Sequence, residues 1–120
     1  MGNELRERVA VVVSPDLLAR SRLDDAARRA GWRVEFATEQ TIRTRLEGGV
    51  VDLLVLDLDA GRHELLEQIA DAREHDRLPA RVVGFFSHVD TELAAAARAA
   101  GCDAMPRGKM WRGLADLLSG

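Results

Sequence analysis

Asp57 is the residue whose position in the sequence best suits it for chemistry. It follows an apolar run of Val and Leu over residues 51–56 that is interrupted only by Asp52. Such a short run is typical of a strand that is buried on both faces of a parallel sheet. The strand would deliver Asp57 to the carboxyl edge of the sheet, where open α/β sheets bind their ligands. Two interpretations remain open: Asp57 is a functional carboxylate, or it only caps the loop that follows.

The elements that would position Asp57 alternate regularly along the chain. Five strand-like segments are each followed by a segment with apolar residues at helical spacing. This alternation predicts an α/β fold with one five-stranded parallel sheet, right-handed crossovers and five helices on both faces. The predicted strands cover residues 9–13, 32–37, 51–58, 81–87 and 102–106. The loops expected at the carboxyl edge cover residues 14–16, 57–61, 87–90 and 107–109.

Local signals predict where the helices begin and end. Ser14 suits the N-cap of the first helix, with Pro15 in its first position and Asp16 in its first turn. That arrangement would carry Asp16 away from the carboxyl edge. Gly101 is expected to end the Ala-rich helix, and Trp111 to open the last one.

Length and composition exclude several classes of protein. The 120 residues form one predicted domain, 1–120, with 47% hydrophobic and 31% charged residues, as in soluble globular proteins. A net charge of −3 gives no footprint for nucleic acid or for an acidic membrane. No apolar run reaches the ~18 residues of a membrane span. The polar N-terminus is unlike a signal peptide, so we expect a cytoplasmic protein.

Enzymatic signatures are missing from the sequence. The first strand is not followed by a Gly-rich phosphate-binding loop, which argues against a dinucleotide enzyme or a flavodoxin. The three histidines are too scattered for a metal set, and no Ser or Cys nucleophile has a nearby base. We therefore expect a protein that is not an enzyme.

At this point the sequence resembles the receiver domains of two-component response regulators over almost its whole length. The segment VDLLVLDL is similar to the third strand of that family, which ends in the phosphoacceptor aspartate, here Asp57. The segment VVGFFS is similar to the fourth strand, which ends in the Thr or Ser that contacts the phosphoryl group, here Ser87. The turn at residues 99–103 is similar to the Ala-Gly-Ala-Asp turn of the family, and Lys109 lies close to its invariant lysine. The resemblance implies a CheY-like (βα)5 fold in a bacterial two-component or phosphorelay system.

The sequence departs from the family where the family binds metal. An acidic pair follows the first strand of receivers and holds Mg²⁺, but Ser14 and Pro15 stand here, with only Asp16 nearby. Asp57 would remain a ligand, and Asp59 would add its backbone carbonyl. Mg²⁺ needs hard oxygen ligands, usually with at least one or two carboxylates. We therefore expect no tightly bound cofactor and only weak Mg²⁺ binding.

Further departures affect access to the site and its switch. His88 stands where receivers have a small residue that leaves room for the phosphoryl group, and Met105 stands where they have a switch aromatic. The spacing from Gly101 to Lys109 is one residue longer than in the family. Either Lys109 or Arg107 is therefore the candidate to reach Asp57.

The resemblance and its departures together predict a degenerate receiver, or pseudo-receiver, that acts through protein–protein interaction. The alternative is a response regulator that is phosphorylated at Asp57. The partner would be a kinase or an output protein, or a second copy in a homodimer. Trp111, with Met105 and Met110, is the candidate contact surface, because exposed tryptophans often anchor interfaces. The competing interpretation is that Trp111 packs over the two methionines.

Overall fold

Five parallel strands form one sheet in the computed structural model, which describes residues 6–87 and 90–119. The order across the sheet is β2-β1-β3-β4-β5, so β3 is central. All five residues of β3 are buried, as the continuous apolar run predicted. The predicted α/β fold class is confirmed. The strands are β1 (Val9–Val13), β2 (Arg33–Phe36), β3 (Leu53–Asp57), β4 (Arg81–Phe86) and β5 (Asp103–Pro106).

Helices cover both faces of this sheet and divide the core into two clusters. Because side chains alternate along a strand, Val11 and Leu54 point into one cluster and Val12 and Val55 into the other. The first cluster lies under α2, α3 and α4, and the second lies under α1, α5 and α6. The helices of the described residues are α1 (Leu17–Arg29), α2 (Ile42–Glu47), α3 (Leu58–Glu74), α4 (Thr91–Ala100), α5 (Arg107–Arg112) and α6 (Leu114–Ser119). None of these helices has the length and the apolar character needed to cross a membrane.

The start of α1 differs from the prediction. Asp16, not Ser14, is the N-cap, and its Oδ1 accepts hydrogen bonds from the amides of Leu18 and Ala19 at 3.0 and 3.3 Å. The predicted N-cap was wrong because the hydroxyl of Ser14 is used elsewhere, as described below. As the cap, Asp16 stays at the carboxyl edge of the sheet instead of being carried away by the helix.

Two segments predicted as loops are helical. Residues 59–61 belong to the first turn of α3, because the Asp57 carboxylate caps that helix by accepting from the amide of Asp59 at 3.1 Å. Residues 107–109 open α5, directly after Pro106 ends β5. Trp111 therefore lies within α5, and α6 is a separate helix after Gly113. The predicted end of α4 is confirmed, since Gly101 adopts a φ of 102° there.

Candidate functional site

Asp57 is held at the carboxyl edge of the sheet by the residue that follows β1. Its side chain is only 3% exposed. Its Oδ2 accepts a 2.7 Å hydrogen bond from the hydroxyl of Ser14, which is also buried, and its Oδ1 accepts the amide of Asp59. Val13 pairs with Leu56 in the register of β1 and β3, so the next residue of each strand is brought alongside the other. Asp57 is thus both a helix cap and a buried carboxylate beside a neutral donor.

Arg107, the first residue of α5, places a guanidinium beside three carboxylates. Its Nη1 lies 3.1 Å from Oδ2 of Asp16, and its Nη2 lies 3.8 Å from both Oδ2 of Asp57 and Oδ2 of Asp59. The guanidinium carbon also lies 4.9 Å from the centroid of the Phe85 ring. One arginine thereby joins the start of α1, the end of β3 and the start of α3 into an acidic cluster with a fixed cation.

The contact with Arg107 changes the acidity of Asp16. The hydrogen bond from Arg107 is the main cause that holds the pKa of Asp16 below its usual value, and the amides of Ala19 and Leu18 act in the same direction. Asp16 therefore keeps its charge, and its attraction for the guanidinium, to a lower pH than a free aspartate would.

The other predicted phosphoryl-contact residues, Ser87 and Lys109, form no hydrogen bond or ion pair with Asp57 among the described residues. Lys109 is exposed on α5 and borders a different cleft, which Met105 and Asp103 also line. Ser87 is exposed, and its backbone amide donates to the carboxylate of Asp59 at 2.9 and 3.1 Å. Of the two basic candidates named from the sequence, Arg107 is the one that contacts the carboxylates. The predicted access position, His88, lies outside the described residues.

The side chains at this edge do not fit a Mg²⁺ ion. Magnesium requires nearly octahedral oxygen coordination. Here a guanidinium stands next to the carboxylates of Asp16, Asp57 and Asp59, and the hydroxyl of Ser14 occupies one oxygen of Asp57. Within residues 6–87 and 90–119, no three His, Cys, Asp or Glu side chains are arranged to hold a metal ion.

A cleft of about 490 Å³ opens beside Asp57. Ser14 and Gly61 line its inner end, and Phe36 and Thr38 line the side toward the edge strand β2. The cleft lies at the carboxyl ends of β1 and β3. From β1 the chain continues to β2 on one side of this pair, and from β3 it continues to β4 on the other side. Because its walls come from the segments that follow three different strands, the local sequence pattern could not reveal it.

The predicted contact surface is only partly exposed. Met110 is 1% exposed and belongs to the core, so the structure corrects its assignment to a surface. Met105 and Trp111 are half-buried and pack against the same cluster. The ring of Trp111 lies 6.1 Å from that of Phe85 at a tilt of 42°, and its other side is covered by Arg22, whose guanidinium carbon is 4.5 Å from the ring centroid. Sequence reasoning did not anticipate this arginine.

Comparison with known proteins shows which proteins have a similar fold. The sequence matches no protein-family model and no curated protein. Among solved structures, it is similar to a response regulator from Thermotoga maritima, with a TM-score of 0.75 and 22% identity over 96% of this chain and 100% of the other. The chain has the receiver-domain fold.

Two further solved structures are similar to this chain. A CheY-like receiver domain protein from Methanospirillum hungatei superposes with a TM-score of 0.76 and 16% identity, over 94% of each chain. A putative pilus assembly protein (CpaE) from Burkholderia thailandensis superposes with a TM-score of 0.68 and 23% identity, over 92% of this chain and 94% of the other. The resemblance to receivers predicted from the sequence is therefore confirmed at the level of the fold.

Proposed function

We propose that this chain is a receiver-like signalling module that acts through protein–protein contacts and does not undergo efficient Mg²⁺-dependent phosphorylation at Asp57. The receiver fold supports the class of the module. The observation that carries the proposal is the position of Arg107, whose guanidinium lies 3.1 Å from Asp16 and 3.8 Å from Asp57 and Asp59.

Phosphoryl transfer to a carboxylate depends on positive charge around the incoming phosphoryl oxygens. In receivers, the acidic pair after the first strand recruits that charge as Mg²⁺. Here Ser14 and Pro15 stand in place of the pair, and Arg107 places one permanent positive charge beside the three remaining acids. An arginine cannot offer the several coordination sites of a metal, and it is already engaged with Asp16. The site is therefore better suited to a permanent contact between Arg107 and the carboxylates than to repeated phosphorylation.

The alternative function, a phosphoacceptor at Asp57, has one observation in its favour. The cleft of about 490 Å³ reaches Asp57, so a small phosphodonor has a path to the carboxylate. Against it, both oxygens of Asp57 already accept hydrogen bonds, one from Ser14 and one from the amide of Asp59.

The experiment is a Mg²⁺ titration of the ¹⁵N-labelled protein, followed by beryllofluoride, which mimics the acyl phosphate. We expect no saturable shift of the Asp57 and Ser87 amides at millimolar Mg²⁺. The matched variant restores the acids and removes the cation through Ser14→Asp, Pro15→Asp and Arg107→Ala, and it should gain Mg²⁺ binding. Micromolar Mg²⁺ affinity in the unmodified protein, together with acetyl-phosphate labelling of Asp57, would establish the alternative.

A further inference from the structure

A groove runs between α1 and the two C-terminal helices, on the face of the sheet that carries α5 and α6. It is an open cleft of about 690 Å³. Its floor is apolar and combines two small residues, one in α1 and one at its C-cap, with the larger residues of the C-terminal helices: Ala26, Ala30, Trp111, Leu114 and Leu118. A helix laid into this groove would meet short side chains on the α1 side, which permits close approach.

Two arginines at the rim lie over tryptophan rings. The guanidinium carbon of Arg22 lies 4.5 Å from the centroid of Trp111, and that of Arg8 lies 5.6 Å from the centroid of Trp32. Stacking uses the flat face of a guanidinium, whereas its N–H donors point outward in the plane. In the described part of the chain, neither guanidinium donates to a carboxylate. Both arginines therefore keep N–H donors available for a carboxylate from another molecule.

The positive charge at the rim of the groove favours a partner with negative charge. Arg29 also lines the groove, but it pairs with Asp25 at 3.2 Å, so these two charges cancel. Arg8 and Arg22 then leave an excess of two positive charges at the groove, in a protein whose net charge is −3. Such a local reversal of sign favours an acidic partner and disfavours a basic one.

We propose that this groove binds an acidic amphipathic helix of a partner protein. The apolar face of the helix would rest on Trp111 and Leu118, and carboxylates on its flank would meet Arg8 and Arg22. This is the helix-in-groove mode of recognition, with a stacked arginine and a tryptophan as anchors. The inference rests on the proposed function, because it names the surface and the partner chemistry of the same signalling module.

A second copy of this chain is a poorer occupant. The large hydrophobic side chains that are exposed in the described residues are Leu17, Leu18, Phe36 and Val50, and only the first two are helical. They lie in a single turn at the start of α1, so no described helix presents an apolar face of two or more turns flanked by acids. The groove is thus matched to a helix from another protein.

The test uses two synthetic helical peptides with the same apolar face and with either glutamates or lysines on the flanks. The indole N–H signals of Trp111 and Trp32 are the readout, since these are the two tryptophans of the chain. The glutamate peptide should shift Trp111 saturably, and its affinity should fall as salt is raised. Arg22→Glu should weaken binding at least tenfold and should transfer the preference to the lysine peptide. Arg8→Glu provides a second variant, and Arg43→Glu, an exposed arginine on α2, is the matched control that should leave binding unchanged.

Three results would overturn the inference: equal binding of both peptides, binding that Arg22→Glu leaves unchanged, or self-association that the glutamate peptide displaces. A preserved Trp32 signal in Arg22→Glu and Arg43→Glu verifies that the fold is intact, because this indole donates to the carbonyl of Leu118 at 2.9 Å. For Arg8→Glu, which removes the guanidinium over that ring, circular dichroism provides the check. The outcome is independent of the Mg²⁺ titration. If neither peptide binds and Mg²⁺ does not bind either, only the proposal of a helix-binding groove is rejected. If the glutamate peptide binds and Asp57 is labelled by acetyl phosphate, only the proposal of a site without efficient phosphorylation is rejected.

Discussion

The hydroxyl of Ser14 donates a 2.7 Å hydrogen bond to Oδ2 of Asp57, and both side chains are buried. This bond joins the residue after β1 to the last residue of β3 at the carboxyl edge of the sheet. The position that receivers fill with an acid is filled here by a neutral donor. The pair therefore has a structural role that a carboxylate at position 14 could not perform without a cation between the two acids.

Replacing Ser14 by Ala should lower the free energy of unfolding. Removing a donor from a buried carboxyl oxygen costs about 1–3 kcal/mol. Urea denaturation monitored by circular dichroism measures the change. Ser21→Ala, at an exposed serine of α1, is the matched control, and it should stay within about 0.5 kcal/mol of the unmodified protein. Equal effects of the two substitutions would show that the buried hydrogen bond adds nothing.

A double-mutant cycle should separate Arg107 from Lys109 as the partner of Asp57. Arg107→Met and Lys109→Met each remove one positive charge from α5, but only Arg107 lies within 3.8 Å of Asp57. Combined with Asp57→Asn, the Arg107 change should show a coupling of at least about 0.5 kcal/mol, and the Lys109 change should be additive. The free energies come from urea denaturation at neutral pH. Coupling to Lys109 alone would reverse the assignment.

The fold was largely predictable because the strongest patterns were long and consistent. The run at β1 and the apolar core of β3 needed no tertiary information, since residues buried on both faces are apolar at every position. The residue at which β3 ends was harder to predict from the sequence. Leu58 continues the apolar run, yet it is the first residue of α3 and is fully buried there. An apolar residue fits a buried strand and a buried helix equally well, so only the cap formed by Asp57 decides the boundary.

The site was predictable in its location but not in its contacts. Asp57 was expected at the carboxyl edge from the strand pattern alone. The choice between Arg107 and Lys109 depended on where α5 begins, and the pattern suggested a loop over residues 107–109. Because α5 starts at Arg107, that side chain reaches Asp16 while Lys109 is directed to solvent. The groove beside Trp111 depends likewise on the packing of α1 against α6, which no local signal encodes.

Acid should destabilise the protein in part through Asp52. The bidentate hydrogen bonds from Arg6, at 2.8 and 3.0 Å, are the main cause that holds the pKa of Asp52 below its usual value. A lowered pKa in the folded state gives stability that is present above the unfolded pKa, about 3.9, and is lost as the pH falls through the folded value. Asp52→Asn should therefore flatten the loss of stability below about pH 4. Thermal unfolding across this range measures the slope.

The control for this pH dependence is Asp116→Asn, at an exposed aspartate of α6. It should leave the slope at low pH unchanged, because no side-chain ion pair holds Asp116 in the described residues. Raised salt should weaken the contribution of Asp52, since Arg6 is 39% exposed. An unchanged slope in Asp52→Asn would mean that the pKa of Asp52 does not differ between the folded and the unfolded chain, and it would contradict the prediction.

Gly84 should be the glycine of β4 that tolerates no side chain. A Cβ at this position would lie 2.7 Å from Cδ1 of Leu58 and 2.8 Å from Sγ of Cys102. Both neighbours are buried, so neither can move aside freely. Overpacking of this kind costs about 1–3 kcal/mol, and Gly84→Ala should lower the free energy of unfolding by that amount in urea denaturation.

Gly108→Ala is the matched control for Gly84→Ala, because its new Cβ would meet only the flexible end of Arg112, at 3.2 Å. Within α5, alanine should stabilise the helix by roughly 0.5–1 kcal/mol. Since Leu58 follows Asp57 directly, strain at Gly84 should also shift the amide signals of Asp57 and Ser14. Adding Cys102→Ala to Gly84→Ala removes one of the two close contacts and should restore part of the lost stability. A full loss that Cys102→Ala leaves unchanged would assign the strain to Leu58 alone, and no loss in Gly84→Ala would refute the tight packing behind the site.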